Sequence, residues 1–410
     1  DESVRTPVKH ELAATAKSKV EAVAQTKGLN PEILGEWCVA LAATQKGDPL
    51  HGFMKPAEAN PEVPVTPTEI PGLVVDFGLA QPGATIQDGV SFGPQPKKTG
   101  DLLFAQTGAP QVVTQGGWER DLFWKDQKLA PGTQDDHGGM GEWHRHGRMV
   151  RSPEFSMNSG RLWYLVRGSV RAYAVVNSHL VVAGPLHGAL LREFKHADDQ
   201  WHWVAHGLEL YKGHRLHVEF APADDNPCCV AMIVQGDDAP KLPDLSIHSP
   251  WTAAADTDEK RAVALRDQFA AAVSILSSGQ GQRPVTASDA ALANWILDHQ
   301  GLILAKNDRE MLEKVSSTLR NEESLLAKGV QWESQLAPAM LDGNGTDENL
   351  LIRGNSNTPR DPVARRFLEA ITGNKLANPV ETSGRMELAQ QMLQSPLAAR
   401  VAVNRVWHHL

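Results

Sequence analysis

Short segments in which apolar and polar residues alternate fill the middle third of the chain. The clearest one places Leu216, Val218 and Phe220 on one face of a strand, with Arg215, His217 and Glu219 on the other. Gly, Pro, Asn and Asp interrupt similar segments at short intervals from residue 72 onward. This pattern predicts a central antiparallel β-sandwich, a jelly-roll over residues 72–237.

Apolar residues at helical spacing precede this block. Gly28 is a helix stop, and Asn30 with Pro31 supplies an N-cap and a first helical residue, so residues 1–48 are predicted to form a helical hairpin. Six prolines between residues 49 and 71 predict an extended linker.

A second proline-bearing linker is expected at 238–255, and residues 256–410 are predicted to be helical. Thr286 with Asp289 predicts a capping box. A helix is expected to begin at Asp361 and Pro362. A long helix from about Asp308 carries a stripe of core candidates, Met311, Val315, Leu319 and Leu326. The predicted fold is therefore α+β and multidomain, with helical segments flanking the sandwich.

Composition narrows the classes of partner. The net charge of the 410 residues is −9 and the basic residues are scattered, which argues against nucleic acid. No apolar run reaches the ~18–20 residues of a membrane helix. The sequence begins at Asp1 without Met and stops inside a helical pattern, so we expect a fragment of a larger parent protein whose other domains are its partners.

The three cysteines are Cys38, Cys228 and Cys229, and no Cys-x-x-Cys-His motif is present, so the chain cannot attach a c-type haem by itself. A bond between the adjacent Cys228 and Cys229 would be strained, so we expect two small buried hydrophobic residues instead.

Histidine is concentrated in the sandwich segment, with ten of the 16 between His137 and His217. The weak metal candidates are two pairs that share a strand face: His144 with His146, and His202 with His206. Such pairs hold zinc or copper only when further ligands join them. The alternative is that these are ordinary surface or core-edge histidines.

A carbohydrate site is the second chemical interpretation. Sugars need an aromatic platform and planar hydrogen-bonding groups at its edge, and loops on a rigid sandwich often carry such residues. The glycine-rich stretch 135–148 and one strand supply them, at Asp136, His137, Trp143, His144, Arg148 and Arg167. Alternatively, Trp163, Trp201 and Trp203 simply fill the sandwich core.

Residues 342–348 resemble the start of a calcium loop, but Asp347 and Arg353 stand where an EF-hand needs Gly and Glu. A turn is the better interpretation, and a structural calcium stays an open alternative.

The C-terminal third carries motifs that resemble one family. They are the segments at 338–342, 351–355, 362–368, 385–389 and 402–409, which include Arg-Gly-Asn, Arg-Arg-Phe-Leu and Asn-Arg-Val-Trp-His-His. They are similar to a planctomycete-specific domain of unknown function, often found with an N-terminal planctomycete-type cytochrome c domain. The sandwich resembles a galactose-binding-like insert. The resemblance implies a C-terminally truncated domain, an extracytoplasmic location and haem c only in the missing N-terminal part. It also implies a link to polysaccharide handling or to an envelope redox chain.

Three functions stay open at this point. The first is a non-catalytic glycan-binding or scaffold region, and the second is a purely structural module. The third is a metal-assisted hydrolase or redox-partner enzyme built on the histidines. Because no nucleophile elbow, P-loop or dinucleotide motif is present, the sequence favours the first and argues against an enzyme.

Overall fold

The fold is α+β. The structure, a computed structural model, describes residues 16–58, 70–79, 85–89, 91–104, 110–120, 148–177, 189–250, 257–278, 285–329, 347–355, 358–366, 368, 370 and 383–409. Its helices are α1 (16–27), α2 (Pro31–Ala43), α3 (Pro49–Met54), α4 (Asp258–Ser278), α5 (Ala287–Asp298), α6 (Lys306–Lys328), α7 (Arg385–Gln394) and α8 (Pro396–His409).

Two antiparallel sheets form the centre. The first sheet has the order β1 (Leu73–Asp76), β13 (Cys229–Gln235), β8 (Arg161–Arg167), β11 (Trp201–Gly207), with β5 (Trp118–Glu119) also on β13. The second has the order β10 (Leu191–Phe194), β9 (Val170–Val176), β12 (Arg215–Pro222), β6 (Arg148–Arg151), β2 (Ile86–Gly89), with β7 (Phe155–Ser156) on β12.

One apolar core lies between the sheets. The ring of Phe220 in the second sheet packs edge-on against Tyr164 of the first, with centroids 5.0 Å apart, and against Phe77 at 6.2 Å. Leu216 and Val218 are buried beside them, as the alternation predicts. Of the polar residues on that strand, only Arg215 is exposed. His217 and Glu219 are also buried, so the prediction of a half-exposed strand is wrong.

The helices before and after the sandwich share a second core. Trp37 and Leu50 from α2 and α3 pack with Phe269 of α4 and Ile296 of α5. The Trp37 indole donates to the carbonyl of Leu302, at 2.8 Å. Helices α2 and α3 therefore complete the helical unit that follows the sandwich in sequence.

A small hairpin joins the two units. It consists of β3 (Leu102–Leu103) and β4 (Gln111–Val112). The Asn294 side chain on α5 accepts from the amide of Val112 at 2.6 Å and donates to its carbonyl at 2.8 Å. The side-chain amide thus takes the place of a neighbouring strand residue.

The chain enters and leaves the sandwich at one place. β1 and β13 pair antiparallel, with Leu73 opposite Val234. Gly72 precedes this pair with φ +74°, and a Cβ there would overlap the carbonyl oxygen of Gln235. Glycine is required at that close approach.

The structure confirms the helix ends that the sequence predicts at Gly28, Asn30 and Thr286. Asn30 accepts from the amide of Glu32 at 2.9 Å, and Gly28 has φ +66° at the end of α1. Thr286 and Asp289 form the reciprocal capping box at the start of α5. Cys228 and Cys229 are buried free thiols, as expected.

Three further expectations are wrong. Residues 49–58 are not extended, because Pro49 starts α3 and a 3₁₀ turn follows at Pro56–Glu58. Residues Pro359–Pro362 form a strand, β15, paired with β14 (Asn349–Leu351), and not a helix start. The expected core stripe of α6 is exposed, at Met311, Val315, Leu319 and Leu326, because no described element covers it.

Candidate functional site

The predicted glycan loop lies largely outside the described residues. This holds for Asp136, His137, Trp143, His144 and His146, as it does for the calcium-like residues 342–346. Arg148 is the first residue of β6. The structure therefore places three predicted site residues in detail, namely Arg167, His202 and His206.

Arg167 ends β8 and is held from three directions. Its guanidinium donates to Glu119 at 2.7 Å and lies 3.4 Å from Asp199. It also stacks over the ring of Trp201, 5.3 Å from the centroid. Because the guanidinium is planar and fixed on several sides, it presents its remaining edge in a defined orientation.

Trp201 belongs to an aromatic outer face of the first sheet. Trp201 and Trp203 alternate along β11, and the register places Trp163 of β8 opposite Ala205, on the same face. All three are half-buried and lie outside the inter-sheet core, so the alternative that they fill the sandwich is wrong. We call Trp163, Trp201, Trp203 and Arg167 the tryptophan face.

Backbone carbonyls orient two of these indoles. The Trp163 N–H donates to Gly236 at 3.0 Å, and the Trp203 N–H donates to Lys241 at 3.2 Å. Their polar edges are therefore satisfied by the protein, while the ring surfaces keep partial access to solvent. A preorganised apolar platform is the result.

His206 lies inside the sandwich. Its Nδ1 is 2.8 Å from the Tyr164 hydroxyl, and its Nε2 is 2.7 Å from the Ala189 carbonyl. Burial lowers the pKa of His206 to about 4. His202 and His206 share a face of β11 but lie about 13 Å apart along the strand, so the structure does not bring them to one ion.

His202 instead meets two residues of the preceding turn. Its Nε2 is 2.7 Å from Asp198 Oδ1, and its ring stacks on that of His196 with centroids 4.1 Å apart. One ligand atom from each of these three side chains lies within 4.8 Å of the others. We call His196, Asp198 and His202 the His–Asp–His cluster. Sequence reasoning missed His196 and Asp198.

The cluster is electrostatically coupled. The His202 hydrogen bond lowers the pKa of Asp198. Partial burial, and then the charge of His202, lower the pKa of His196. The only sequence signal for the cluster was the spacing His-x-Asp-x₃-His across a turn between two strands.

A separate cleft of about 580 Å³ lies beside α6. Its lining carries charges of both signs, from residues that include Lys306, Arg309, Arg320, Glu310 and Glu313. Such a mixture favours no single ligand charge, so the cleft does not select a substrate class.

Comparisons with known proteins add little to this geometry. No protein-family profile and no curated protein matches the chain. Among solved structures, a Podospora anserina GH26-CBM35 β-(1,4)-mannanase aligns with a TM-score of 0.16 and 14% identity. The alignment covers 45% of this chain and 32% of that one. A score this low establishes no shared fold. No helix in the described part of the chain is long and apolar enough to cross a membrane.

Proposed function

We propose that the β-sandwich is a non-catalytic glycan-binding module and that the tryptophan face is its binding surface. The observation that carries the proposal is the half-exposed stack of Arg167 on Trp201, beside Trp203 and Trp163 on one sheet face. Aromatic rings receive the C–H faces of sugars, and the guanidinium donates to hydroxyls at the edge.

The charged groups next to the platform support this assignment. Glu119 and Asp199 flank the guanidinium of Arg167 and add acceptors to its donors. A sugar hydroxyl both donates and accepts, so mixed groups at the rim suit it better than an ion. The ligand class that fits is a neutral polysaccharide with exposed hydroxyl groups.

The sequence before β6 and in the C-terminal third supports further proposals about the binding site and the parent protein. Asp136, His137, Trp143, His144 and Arg148 are proposed as a second set of contacts, from the loop before β6. We also propose that the sandwich is a galactose-binding-like jelly-roll and that the parent is an extracytoplasmic planctomycete protein concerned with polysaccharide handling. The motifs of the C-terminal third support this assignment.

Affinity electrophoresis against a panel of soluble polysaccharides tests the proposal. The intact chain should be retarded by at least one, and Trp201→Ala or Arg167→Met should abolish the retardation. Trp407→Ala is the matched control, because that indole is exposed on α8, far along the chain.

Two results would count against the tryptophan face. One is that no polysaccharide in the panel retards the chain. The other is retardation that survives Trp163→Ala, Trp201→Ala and Trp203→Ala together. In that second case, loss of retardation in Trp143→Ala would indicate that the glycan binds to residues 135–148 instead.

A structural role is the second candidate. The carbonyls that hold Trp163 and Trp203 belong to the segment that leaves the sandwich toward α4. The same indoles therefore anchor the connection to the helical unit. If that is their main role, Trp203→Ala lowers the melting temperature and leaves any glycan binding intact.

A further inference from the structure

We propose that the His–Asp–His cluster is a binding site for a divalent first-row transition metal, with Zn²⁺ as the representative ion. This goes beyond glycan binding and rests on different atoms. His202 projects from β11 to the side opposite Trp201 and Trp203, because neighbouring residues of a strand alternate.

The donor set fits this class of ion. Two imidazoles and one carboxylate suit zinc, copper, nickel or iron(II), and are a poor match for calcium or magnesium, which prefer oxygen ligands. Three protein ligands leave at least one coordination position for water or an external ligand.

The backbone around the cluster is anchored on both sides. His202 is part of the β11–β8 ladder, where it pairs with Val166. Ser169 donates to the carbonyl of His196 at 3.4 Å, and Arg167 holds the neighbouring Asp199. The turn that carries two ligands is thereby tied to the β8–β9 connection, which keeps the three side chains together.

Metal binding requires one local rearrangement. The two imidazole planes are nearly parallel, at 8°, and their lone pairs lie in those planes. A single ion at the zinc–nitrogen distance of about 2.0–2.1 Å cannot lie in both planes, so one ring must rotate about its Cβ–Cγ bond. The His196 side chain is only partly buried, so its ring has room to make this rotation. Asp198 then exchanges its hydrogen bond with His202 for a bond to the ion.

Competition with a chromogenic zinc chelator tests the site on the full chain after treatment with EDTA. We expect one zinc per chain, with affinity reduced by more than about tenfold in each of His196→Ala, His202→Ala and Asp198→Asn. His248→Ala is the matched control and should leave the affinity unchanged. His248 lies 3.0 Å from Asp244 at the same i,i+4 spacing, and the described residues hold no third ligand there.

Other histidines require their own variants. His144 and His146 are replaced by Ala in one double variant, and His408 and His409 in another; zinc binding should persist in both. Absence of zinc binding by the wild type would overturn the proposal, as would full zinc affinity in His196→Ala/His202→Ala. Circular dichroism and melting in EDTA confirm that each variant is folded. Glycan retardation should be unchanged in the His196, His202 and Asp198 variants, so failure of one proposal does not imply failure of the other.

Discussion

The Tyr164 hydroxyl donates a hydrogen bond to His206 Nδ1 in the interior of the sandwich, at 2.8 Å. The contact made by the other ring nitrogen, Nε2, determines which group donates in this bond. Since His206 Nε2 faces the carbonyl of Ala189, the single proton of the neutral imidazole must be on Nε2, and Nδ1 must accept. The core is therefore built around a neutral histidine.

Stability should fall with acid because of this pair. The pKa of His206 is lowered from 6.5 to about 4 in the folded state by burial. Between these values the unfolded chain binds one more proton, so the full contribution is present above pH 6.5 and is lost as the pH falls toward 4. The loss is about 3 kcal/mol. Urea unfolding at pH 4.5, 5.5 and 7 measures it.

His206→Gln is the comparison for that experiment. It should be less stable at pH 7 but show a flatter decline below pH 6.5. His217, whose pKa burial also lowers, contributes with the same sign in both proteins. Equal slopes in wild type and His206→Gln would show that His206 is not the group responsible.

The Asn294 side chain should contribute more to the free energy of unfolding than an ordinary surface amide does. Asn294→Ala leaves both the amide and the carbonyl of Val112 without a partner at a partly buried position, and should cost about 1–3 kcal/mol. Asn226→Ala, at an exposed turn, should cost less than about 0.5 kcal/mol. Chemical denaturation of both variants makes the comparison.

Gly168 should tolerate no side chain. It has φ +71° between β8 and β9, and a Cβ there would overlap the carbonyl oxygen of Pro227. We expect Gly168→Ala to destabilise the chain by about 2 kcal/mol or more. Gly213 has φ +89° with open space around it, so Gly213→Ala isolates the backbone strain and should cost about 1 kcal/mol. Equal melting temperatures for Gly168→Ala and Gly213→Ala would contradict the predicted steric clash with Pro227.

Only one thiol should react in the folded protein. Cys38 is exposed, whereas burial raises the pKa of Cys228 to about 12 and also raises the pKa of Cys229 well above its usual value. The thiolate is the nucleophile, so Ellman's reagent at pH 8 should count one fast thiol natively and three in guanidinium. Cys38→Ser should show no fast thiol. Fast reaction of Cys228 would mean that the end of β13 opens readily.

The sequence alone predicts those features of the fold that depend on residues close together along the chain. The Asn30 cap, the Thr286–Asp289 box and the inward positions of β12 depend on residues within a few positions of each other. The partner of α2 is not a local signal, because Trp37 meets Leu302 across 265 residues, which no periodicity reveals. The stripe on α6 misled for a related reason: amphipathicity shows that a face could be covered, not that it is.

In the candidate sites too, the sequence indicates residue types but not the contacts that depend on tertiary structure. The sequence identifies Arg167 only as a suitable residue type, because its stack on Trp201 depends on the register between β8 and β11. The sequence predicts His206 as the partner of His202, because both lie on one strand face. The closer partners came from a turn, whose shape fixes distances that spacing along a strand does not.

The side-by-side entry and exit of the sandwich determine its response to mechanical load. Because β1 and β13 pair antiparallel at the point where both connect to the rest of the chain, tension on those connections peels their hydrogen bonds apart one after another. Shearing would load them all together. The sandwich should therefore open at low force from this seam, while the β8–β11 ladder at the opposite edge of the same sheet is still intact.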